Sequence, residues 1–453
     1  MKQVRMVSTA GILGYGFPEA SLAAAMERGV DMVGVDAGST DPGPYYLGSG
    51  KAFVSERAMK RDLRLMLRAA LAHKVPMMVG SCGGAGGAPH LELVAGMVRE
   101  IAAEEGLSFK MALIHSEQSK ADIRKYVASG RTRRLGLLPE LDEATVDRAE
   151  RIVAVMGPEP FRKALEDGAQ VILAGRSSDP AIFSSFAMHH GLPPAPAWYA
   201  GKMLECGPAP TTPKAPDCLR VVVTEDSVDC EPMGERACTP MSVINHSLHE
   251  NHSPLHHIEP GGTLHTEHCS FVPSSNRATR VSGMTWEAQP YSVKLEAAEF
   301  VGYRAVSFCA TRDPGLIAYL KPYLARVREL VGQKARDLGL APDTFTLTIN
   351  TYGQSGVMGA TEPRPDAPAQ ELAFFLDAVA RTQEEALALI ALLRTNMLHT
   401  DFPGRLCKEG NMAFPLSPSD LTVGPVYRFT MQHVVLPDDP CEMFPISYEM
   451  VGQ

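Results

Sequence analysis

Residues 79–92, VGSCGGAGGAPHLE, place a cysteine and a run of glycines between an apolar segment and a helical pattern. Such a turn is found in a phosphate cradle, in a nucleophile's turn, or at a tight corner. The segment lacks the lysine and Ser/Thr of a P-loop and the glycine order of a dinucleotide site, and it lacks the GxSxG of a nucleophile elbow. We interpret it as a loop whose backbone amides, near Gly83 and Gly84, accept an anion.

Two interpretations of Cys82 in this loop remain open. A thiol at the start of a helix is favoured as a thiolate and is then a nucleophile. Free cysteines are, however, more often small buried hydrophobes. Cys82 is therefore a candidate catalytic residue, with a core position as the alternative.

Glycines and polar residues also follow other apolar runs. In chain order the candidates are Gly11 and Gly14 in STAGILGYGF; Asp36, Ser39, Thr40 and Asp41 in VDAGSTDPG; Ser81 before Cys82; Arg176 and Asp179 in ILAGRSSDPAIF; and Glu205 in KMLECG. We predict substrate binding by the glycines, the Ser and Thr residues, Arg176 and Asp179.

The chemistry of these candidates is that of acid–base catalysis on an anion. The planar fork of Arg176 suits a carboxylate or a phosphate, and amides near Gly83 would stabilise an enolate-like oxyanion. Asp36, Asp41 or Glu205 would move the proton. For Glu205, a structural ion pair with Lys202 is an equally good interpretation.

The elements that must position these residues are βαβ units. Short apolar runs such as VRMVS, DMVGVD, PMMVG, FKMALIH, RIVAVMG and QVILAG alternate with helix-length amphipathic stretches, which predicts an α/β fold with a parallel sheet covered on both faces. In such a sheet the loops at the strand carboxyl ends meet at one edge. We therefore predict a first domain over 1–210, and after the proline-rich GPAPTTPKAPD an α+β domain with a mixed sheet over 215–453.

Composition excludes several classes of protein. The 453 residues carry a formal net charge of −9 with 45% hydrophobic residues, which argues against a nucleic-acid surface or an anionic membrane as partner. No apolar run approaches the ~20 residues of a membrane span. The nine cysteines show no CxxC spacing, so we expect a reducing, cytoplasmic location.

Histidines are concentrated in HSLHENHSPLHHIEPGGTLHTEH, residues 246–268. The pairs His246 with His249 and His265 with His268 have spacings compatible with zinc. The segment is also rich in Pro, Gly, Ser and Asn, which indicates an exposed loop followed by a strand. We therefore predict no bound metal.

Taken together, the glycine loops, AGRSSDPAIF with WYAGKMLECG, IEPGGTLHT, SVKLEAAEFVGYRAVSF, TRDP and NMAFPLSPSD resemble the acyclic terpene utilisation (AtuA-like) family over most of the chain. The resemblance implies a cytoplasmic protein of carboxylic-acid or acyl-CoA breakdown. It also implies the split form of the family, in which a separate small subunit supplies a further C-terminal domain.

Two functions follow as hypotheses. The first is a cofactor-independent lyase, a hydratase or dehydratase, or else an isomerase, acting on a small carboxylic acid or its CoA ester. The second is a non-catalytic subunit that binds an acyl-CoA or a partner enzyme. We expect a homo-oligomer in both cases, with no nucleic-acid or membrane partner.

Overall fold

The computed structural model describes residues 2–250 and 253–452. It consists of two compact units. Unit 1 comprises Met1–Glu299 and Phe429–Gln453, and unit 2 comprises Phe300–Arg428. No helix of the described residues is long and apolar enough to cross a lipid bilayer.

The strands and helices are as follows. The strands are β1 Val4–Ser8, β2 Met32–Asp36, β3 Met77–Gly80, β4 Phe109–Ile114, β5 Thr132–Arg134, β6 Ala149–Val155, β7 Val171–Ala174, β8 Leu219–Val223, β9 Ser227–Pro232, β10 His256–Glu259, β11 Gly262–His265, β12 Ser270–Pro273, β13 Thr279–Ser282, β14 Thr285–Ala288, β15 Val293–Thr311, β16 Phe345–Tyr352, β17 Leu372–Ala380, β18 Asp420–Val435 and β19 Ile446–Val451. The helices are α1 Glu19–Glu27, α2 Pro44–Ser49, α3 Glu56–His73, α4 Ala88–Glu105, α5 Lys120–Ala128, α6 Glu143–Arg148, α7 Glu159–Glu166, α8 Ala181–His189, α9 Pro194–Leu204, α10 Pro240–Ser247, α11 Pro314–Ala318, α12 Leu320–Asp337 and α13 Gln383–His399.

Unit 1 is built on one large sheet with the strand order β12-β13-β9-β8-β1-β2-β3-β7-β4-β19. The central strands β1, β2, β3, β7 and β4 are parallel to their neighbours in this group, and β8 and β19 join them antiparallel on either side. The predicted α/β fold with a parallel sheet is therefore confirmed.

The central strands form because their apolar residues serve both faces of the sheet. Met6, Met32 and Met78 belong to the core on one face, while Val7 and Val33 belong to the core on the other. Successive side chains of a strand point to opposite faces, so an uninterrupted apolar run buries both of them. Helices cover the two faces, as parallel sheets require.

Two segments take places other than those predicted from the apolar pattern. The strand RIVAVMG (β6) pairs antiparallel with residues 294–299 of β15 and does not enter the parallel group. The proline-rich stretch near residue 210 lies within unit 1, because β8 and β9, which follow it, extend the large sheet from β1. The division between the compact units falls instead within β15 and β18.

Unit 2 is a separate α+β layer. Residues 303–311 of β15 pair antiparallel with β17, which pairs in turn with β16. The alternating pattern of β17 buries Phe374, Leu376 and Ala378 against the apolar faces of α12 and α13. Both helices coincide with the long helical patterns in the sequence.

The packing of β2 generates a first prediction, on Gly34. A Cβ at this position would lie 2.6 Å from Cε1 of Phe183 and 2.7 Å from Cε of Met32. We expect Gly34→Ala to lower the free energy of unfolding by about 1–3 kcal/mol, since overpacking a dense core displaces its neighbours.

The control is Gly96→Ala within α4, where no described atom lies within 4 Å of the added Cβ. Alanine is favoured over glycine in a helix, so this variant should gain about 0.5–1 kcal/mol. Urea denaturation of both variants measures the difference. A Gly34→Ala protein as stable as the parent would contradict dense packing around β2, because it would show that the neighbouring side chains can move without loss of stability.

Candidate functional site

A cavity of about 480 Å³ in unit 1 collects most of the ionisable side chains that face one another near the carboxyl ends of the parallel strands. The charged residues of its wall are Arg176, Asp179, Lys202, Glu205, Glu250, Glu259 and Lys294. Another cavity, of about 590 Å³, lies beside Val4, Asp31 and Pro76, which places it at the amino ends of the strands. Ligands of open parallel sheets bind at the carboxyl ends, so the cavity around Arg176 is the candidate site.

The loop that follows β7 carries the central residue, Arg176. The backbone amide of Arg176 donates to Oγ of Ser116 at 2.7 Å and to the carbonyl of Gly86 at 3.2 Å. Its carbonyl accepts from the amide of Met156. Three neighbouring segments thus hold this loop in place before α8 begins at Ala181.

The guanidinium of Arg176 is buried and paired. Its Nε donates to Oε2 of Glu296 at 3.0 Å, and its Nη1 donates to Oδ1 of Asp179 at 2.9 Å and to Oγ of Ser81 at 3.1 Å. Nη1 also donates to the carbonyl of Ser177. These bonds use Nε and Nη1, so within the described residues Nη2 remains without a protein partner.

Glu296 is the fixed negative charge of the site. Burial opposes its ionisation, but Arg176 and Lys294 hold its pKa at about 2. Nζ of Lys294 donates to its Oε1 at 2.8 Å, and Oγ1 of Thr40 donates to its Oε2 at 3.0 Å. Glu296 therefore stays charged, and it binds Arg176 as an anion.

Glu259 has the opposite electrostatic environment. Its Oε2 accepts from Oγ of Ser178 at 2.5 Å, with no cation among its hydrogen-bond donors in the described part of the chain. Burial, together with repulsion by Glu205 and Asp179, raises the pKa of Glu259 to about 8. At neutral pH this carboxyl is mostly protonated, which makes it a proton donor.

Glu205 lies between these two extremes. Its Oε1 accepts from Nζ of Lys202 at 2.6 Å, and both side chains are buried. Burial raises its pKa to about 7 even though Lys202 opposes the shift. The ion pair and the perturbed carboxyl, which the sequence left as alternatives, are thus present together.

Asp179 lies at the edge of the cavity with its side chain 35% exposed. Partial burial raises the pKa of its carboxyl, although the positive charge of Arg176 acts to lower it. Asp36 is buried behind it. Oδ2 of Asp36 accepts from the amide of Gly38 at 2.9 Å, whereas Oδ1 has no partner in the described residues. Burial and repulsion by Asp179 raise the pKa of Asp36 well above its usual range.

Of the other polar residues that follow β2, Thr40 is hydrogen-bonded to the site, whereas in the described part of the chain Ser39 and Asp41 are not. Thr40 reaches the site through Glu296. Asp41 is exposed, and its amide donates to Oγ of Ser39 at 3.1 Å. These two form a local turn, and among the residues that the structure describes no hydrogen bond joins either of them to the charged cluster.

The glycine loop of residues 79–92 supports the Arg176 loop. The amides of Ser81, Cys82 and Gly84 donate to the carbonyls of Gly175, Ala174 and Ser81, so they are occupied within the protein. Gly83 packs on His90, where a Cβ would lie 2.8 Å from the Cβ of His90. The loop therefore forms a tight corner against the Arg176 loop, and anion binding by the amides near Gly83 and Gly84 stays a prediction.

Cys82 is fully buried in the core beneath the sheet. Burial raises the pKa of its thiol far above the usual range, which disfavours the thiolate. Within the described residues, its Sγ lies 4.0 Å from the carbonyl of Val79. The structure therefore places Cys82 away from the cavity.

The N-terminal glycines belong to another supporting loop. The amides of Gly14 and Gly16 both donate to Oδ2 of buried Asp62 at 3.0 Å. A Cβ at Gly11 would lie 3.1 Å from the carbonyl oxygen of Cys206. Gly11 thus allows this loop to pack against the end of α9, next to Glu205.

Sequence reasoning did not single out Glu259, Glu296, Lys294 or Ser178 as site residues. Glu259 lies in IEPGGTLHT and Glu296 in SVKLEAAEF. In the sequence these two segments indicated only the family. A signal was present, since a glutamate at an inward position of an apolar strand pattern must find a partner. The partners themselves come from segments distant in the sequence.

The histidine-rich segment is distributed over several elements. His246 is buried on α10, and its Nε2 lies 3.0 Å from the carbonyl of Lys202. His256 and His265 lie directly opposite each other on β10 and β11. His252 lies outside the described residues.

A model of the family described as "Acyclic terpene utilisation family protein AtuA" matches residues 49–406 of the chain. The chain belongs to this family, as the sequence motifs predicted. No curated protein and no solved structure gives a significant match.

The contact of the glycine loop with the Arg176 loop generates a second prediction, on Gly86. Gly86 has φ +67°, and a Cβ there would lie 2.1 Å from the backbone nitrogen of Arg176. We expect Gly86→Ala to lose more stability than the about 1–2 kcal/mol that a left-handed conformation costs an L-residue.

Gly106→Ala is the matched control, because Gly106 has φ +63° and no described atom within 4 Å of an added Cβ. It should lose only the conformational cost. Thermal and urea unfolding of both variants give the comparison. Equal losses would contradict a close approach of the two loops.

Proposed function

We propose that this protein is a lyase, a hydratase or dehydratase, or else an isomerase, that acts on a small carboxylic acid or its CoA ester. The observation that carries the proposal is that a buried arginine, Arg176, and two carboxyls with raised pKa values, Glu205 and Glu259, line one cavity. Addition or removal of water next to a carboxylate needs an anion-binding group, a proton donor and a proton acceptor. It needs no redox cofactor.

Arg176 and Lys294 supply the anion-binding group. Nη2 of Arg176 is the guanidinium nitrogen left for a ligand, and the side chain of Lys294 is 42% exposed on the cavity wall. Because Glu296 and Asp179 already neutralise part of this positive charge, the site suits one carboxylate or thioester oxygen better than a polyphosphate.

Glu259 and Glu205 supply the acid and the base. Glu259, with its pKa near 8, donates a proton to the departing hydroxyl group in the dehydration direction. Glu205, with its pKa near 7, removes the proton from the carbon next to the carboxylate. Glu205 has the lower pKa of the two, so between about pH 7 and pH 8 it can accept a proton while Glu259 can still donate one. In this proposal Glu259 and Glu205, and not Asp36 or Asp41, transfer the protons.

This assignment predicts a bell-shaped pH dependence of kcat/KM. The rate rises through about pH 7 as Glu205 loses its proton, and falls through about pH 8 as Glu259 loses its own. Glu259→Gln cannot donate a proton, so we expect kcat to fall by about 10²–10⁴-fold, with KM nearly unchanged and the alkaline decline abolished.

The assay is proton NMR in deuterated buffer over a panel of hydroxy, unsaturated and branched carboxylic acids and their CoA esters. Loss of a vinyl signal, or deuterium at an α-carbon, identifies the substrate. Glu150→Gln, at an exposed position, is the matched control and should keep the parental profile. An unchanged alkaline decline in Glu259→Gln would remove Glu259 from the acid role.

Arg176→Lys tests the anion-binding group. Lysine keeps the charge opposite Glu296 but lacks the fork, so we expect KM for carboxylate substrates to rise at least about tenfold with the fold retained by circular dichroism. Lys294→Met is a milder companion on the cavity wall and should raise KM less. Unchanged KM in both variants would contradict carboxylate binding at this position.

The alternative function is a non-catalytic subunit that binds an acyl-CoA or a partner enzyme. Absence of turnover over the whole panel would favour this alternative over the lyase. If the protein still bound an acyl-CoA in that experiment, it would be a binding protein and not an enzyme.

A further inference from the structure

The three-stranded sheet β10-β11-β14 brings together four side chains that the proposed function does not use. In the antiparallel register, His256 on β10 lies opposite His265 on β11, and His265 lies opposite Thr285 on β14. Glu267 follows His265 by two residues, and Glu287 follows Thr285 by two. The topology thus collects two histidines and two glutamates on the outer face of this sheet.

The opposite face of the same sheet is packed into the protein. His257 and Leu264 are buried, and Trp286 stacks on Trp198 with ring centroids 5.7 Å apart. Since side chains alternate along a strand, burial of these residues directs His256 and His265 outward. The outer groups are therefore mounted on a rigid hairpin.

Glu267 is held just beyond the end of β11. The amide and Oγ1 of Thr266 both donate to the carbonyl of Leu255, at 3.0 and 3.2 Å. The carbonyl of Thr266 accepts from the amide of Cys269 at 3.0 Å. These bonds keep the carboxylate of Glu267 beside the histidine pair.

The distances suit a tetrahedral metal ion. Nδ1 of His265 lies 3.3 Å from Oε1 of Glu267, and Nε2 of His256 lies 3.8 Å from the same oxygen. With metal–ligand bonds of about 2.0–2.1 Å, the ligand–ligand edge of a zinc tetrahedron is about 3.3 Å. One edge is thus already formed, and a small side-chain movement would close the second.

We propose that His256, His265 and Glu267 bind a divalent transition-metal ion, Zn²⁺ by preference, with a fourth position open to water. Nε2 of His265 lies 3.1 Å from Oε2 of Glu287. A carboxylate that accepts from the second ring nitrogen fixes the orientation of a metal-binding histidine and strengthens it as a ligand, so Glu287 is a positioning residue. His256 and His265 are nine residues apart in the chain, a wider spacing than in the pairs His246 with His249 and His265 with His268.

A second group, Glu205, Cys206 and His246, also brings its ligand atoms within 4.8 Å of one another. It is the weaker candidate, because the ammonium of Lys202 already pairs with Glu205 at 2.6 Å. The two groups differ in chemistry, since only the second offers a thiolate. A metal spectrum therefore distinguishes them.

The test uses the full chain without an affinity tag, stripped with a chelator and titrated with Zn²⁺ and with Co²⁺. We expect one equivalent of Zn²⁺, a rise in the unfolding temperature with Zn²⁺ concentration, and a Co²⁺ spectrum without a thiolate charge-transfer band. His256→Ala and His265→Ala should each weaken Zn²⁺ binding at least about 100-fold, and Glu287→Gln about 10–100-fold.

His73→Ala, at an exposed position on α3, is the matched control and should bind Zn²⁺ as the parent does. Zn²⁺ binding retained in a His256→Ala, His265→Ala double variant would overturn the proposal. So would a thiolate band that disappears in Cys206→Ser, or the absence of stoichiometric binding by the folded parent protein. None of these readouts depends on the proposed catalytic function.

Discussion

The buried ion pair between Arg176 and Glu296 is the interaction on which the rest of the candidate site depends. A guanidinium withdrawn from water must be compensated by nearby charge and hydrogen bonds, or it costs several kcal/mol. Glu296 and Asp179 provide the charge, and Ser81 with the carbonyl of Ser177 provides further acceptors. The glycine at position 86 lets the backbone of the loop of residues 79–92 approach this cluster closely, since an added Cβ there would lie 2.1 Å from the backbone nitrogen of Arg176.

The same cluster explains how glutamates that lie close together take different protonation states. Glu296 contacts two cations and stays ionised, whereas Glu259 contacts a serine hydroxyl and is held neutral by burial and by its acidic neighbours. Glu205, with a single lysine, falls between them. Graded access to positive charge thus gives these three carboxyls different pKa values.

The β10–β11 hairpin connects the two sites that we propose. His256, the first residue of β10, faces outward and lies opposite His265. Glu259, the last residue of β10, lines the cavity. Because the hairpin is anchored by buried Leu264 and by the stacked tryptophans, an ion bound on its outer face would hold the same strand that carries Glu259. The position of Glu259 is in this way tied to the packing of the whole hairpin.

The sequence by itself determined the α/β fold and the membership of the AtuA family, because these rest on local apolar runs and on short motifs. It also brought forward Glu205 beside Lys202, three residues apart. Only the tertiary structure decided that Arg176 is paired with Glu296, 120 residues away, and that Ser178 meets Glu259 across 81 residues. The physical reason is that charge state depends on burial and on neighbours in space. Strand register and loop packing set both of these, and neither is written in the local spacing of residues.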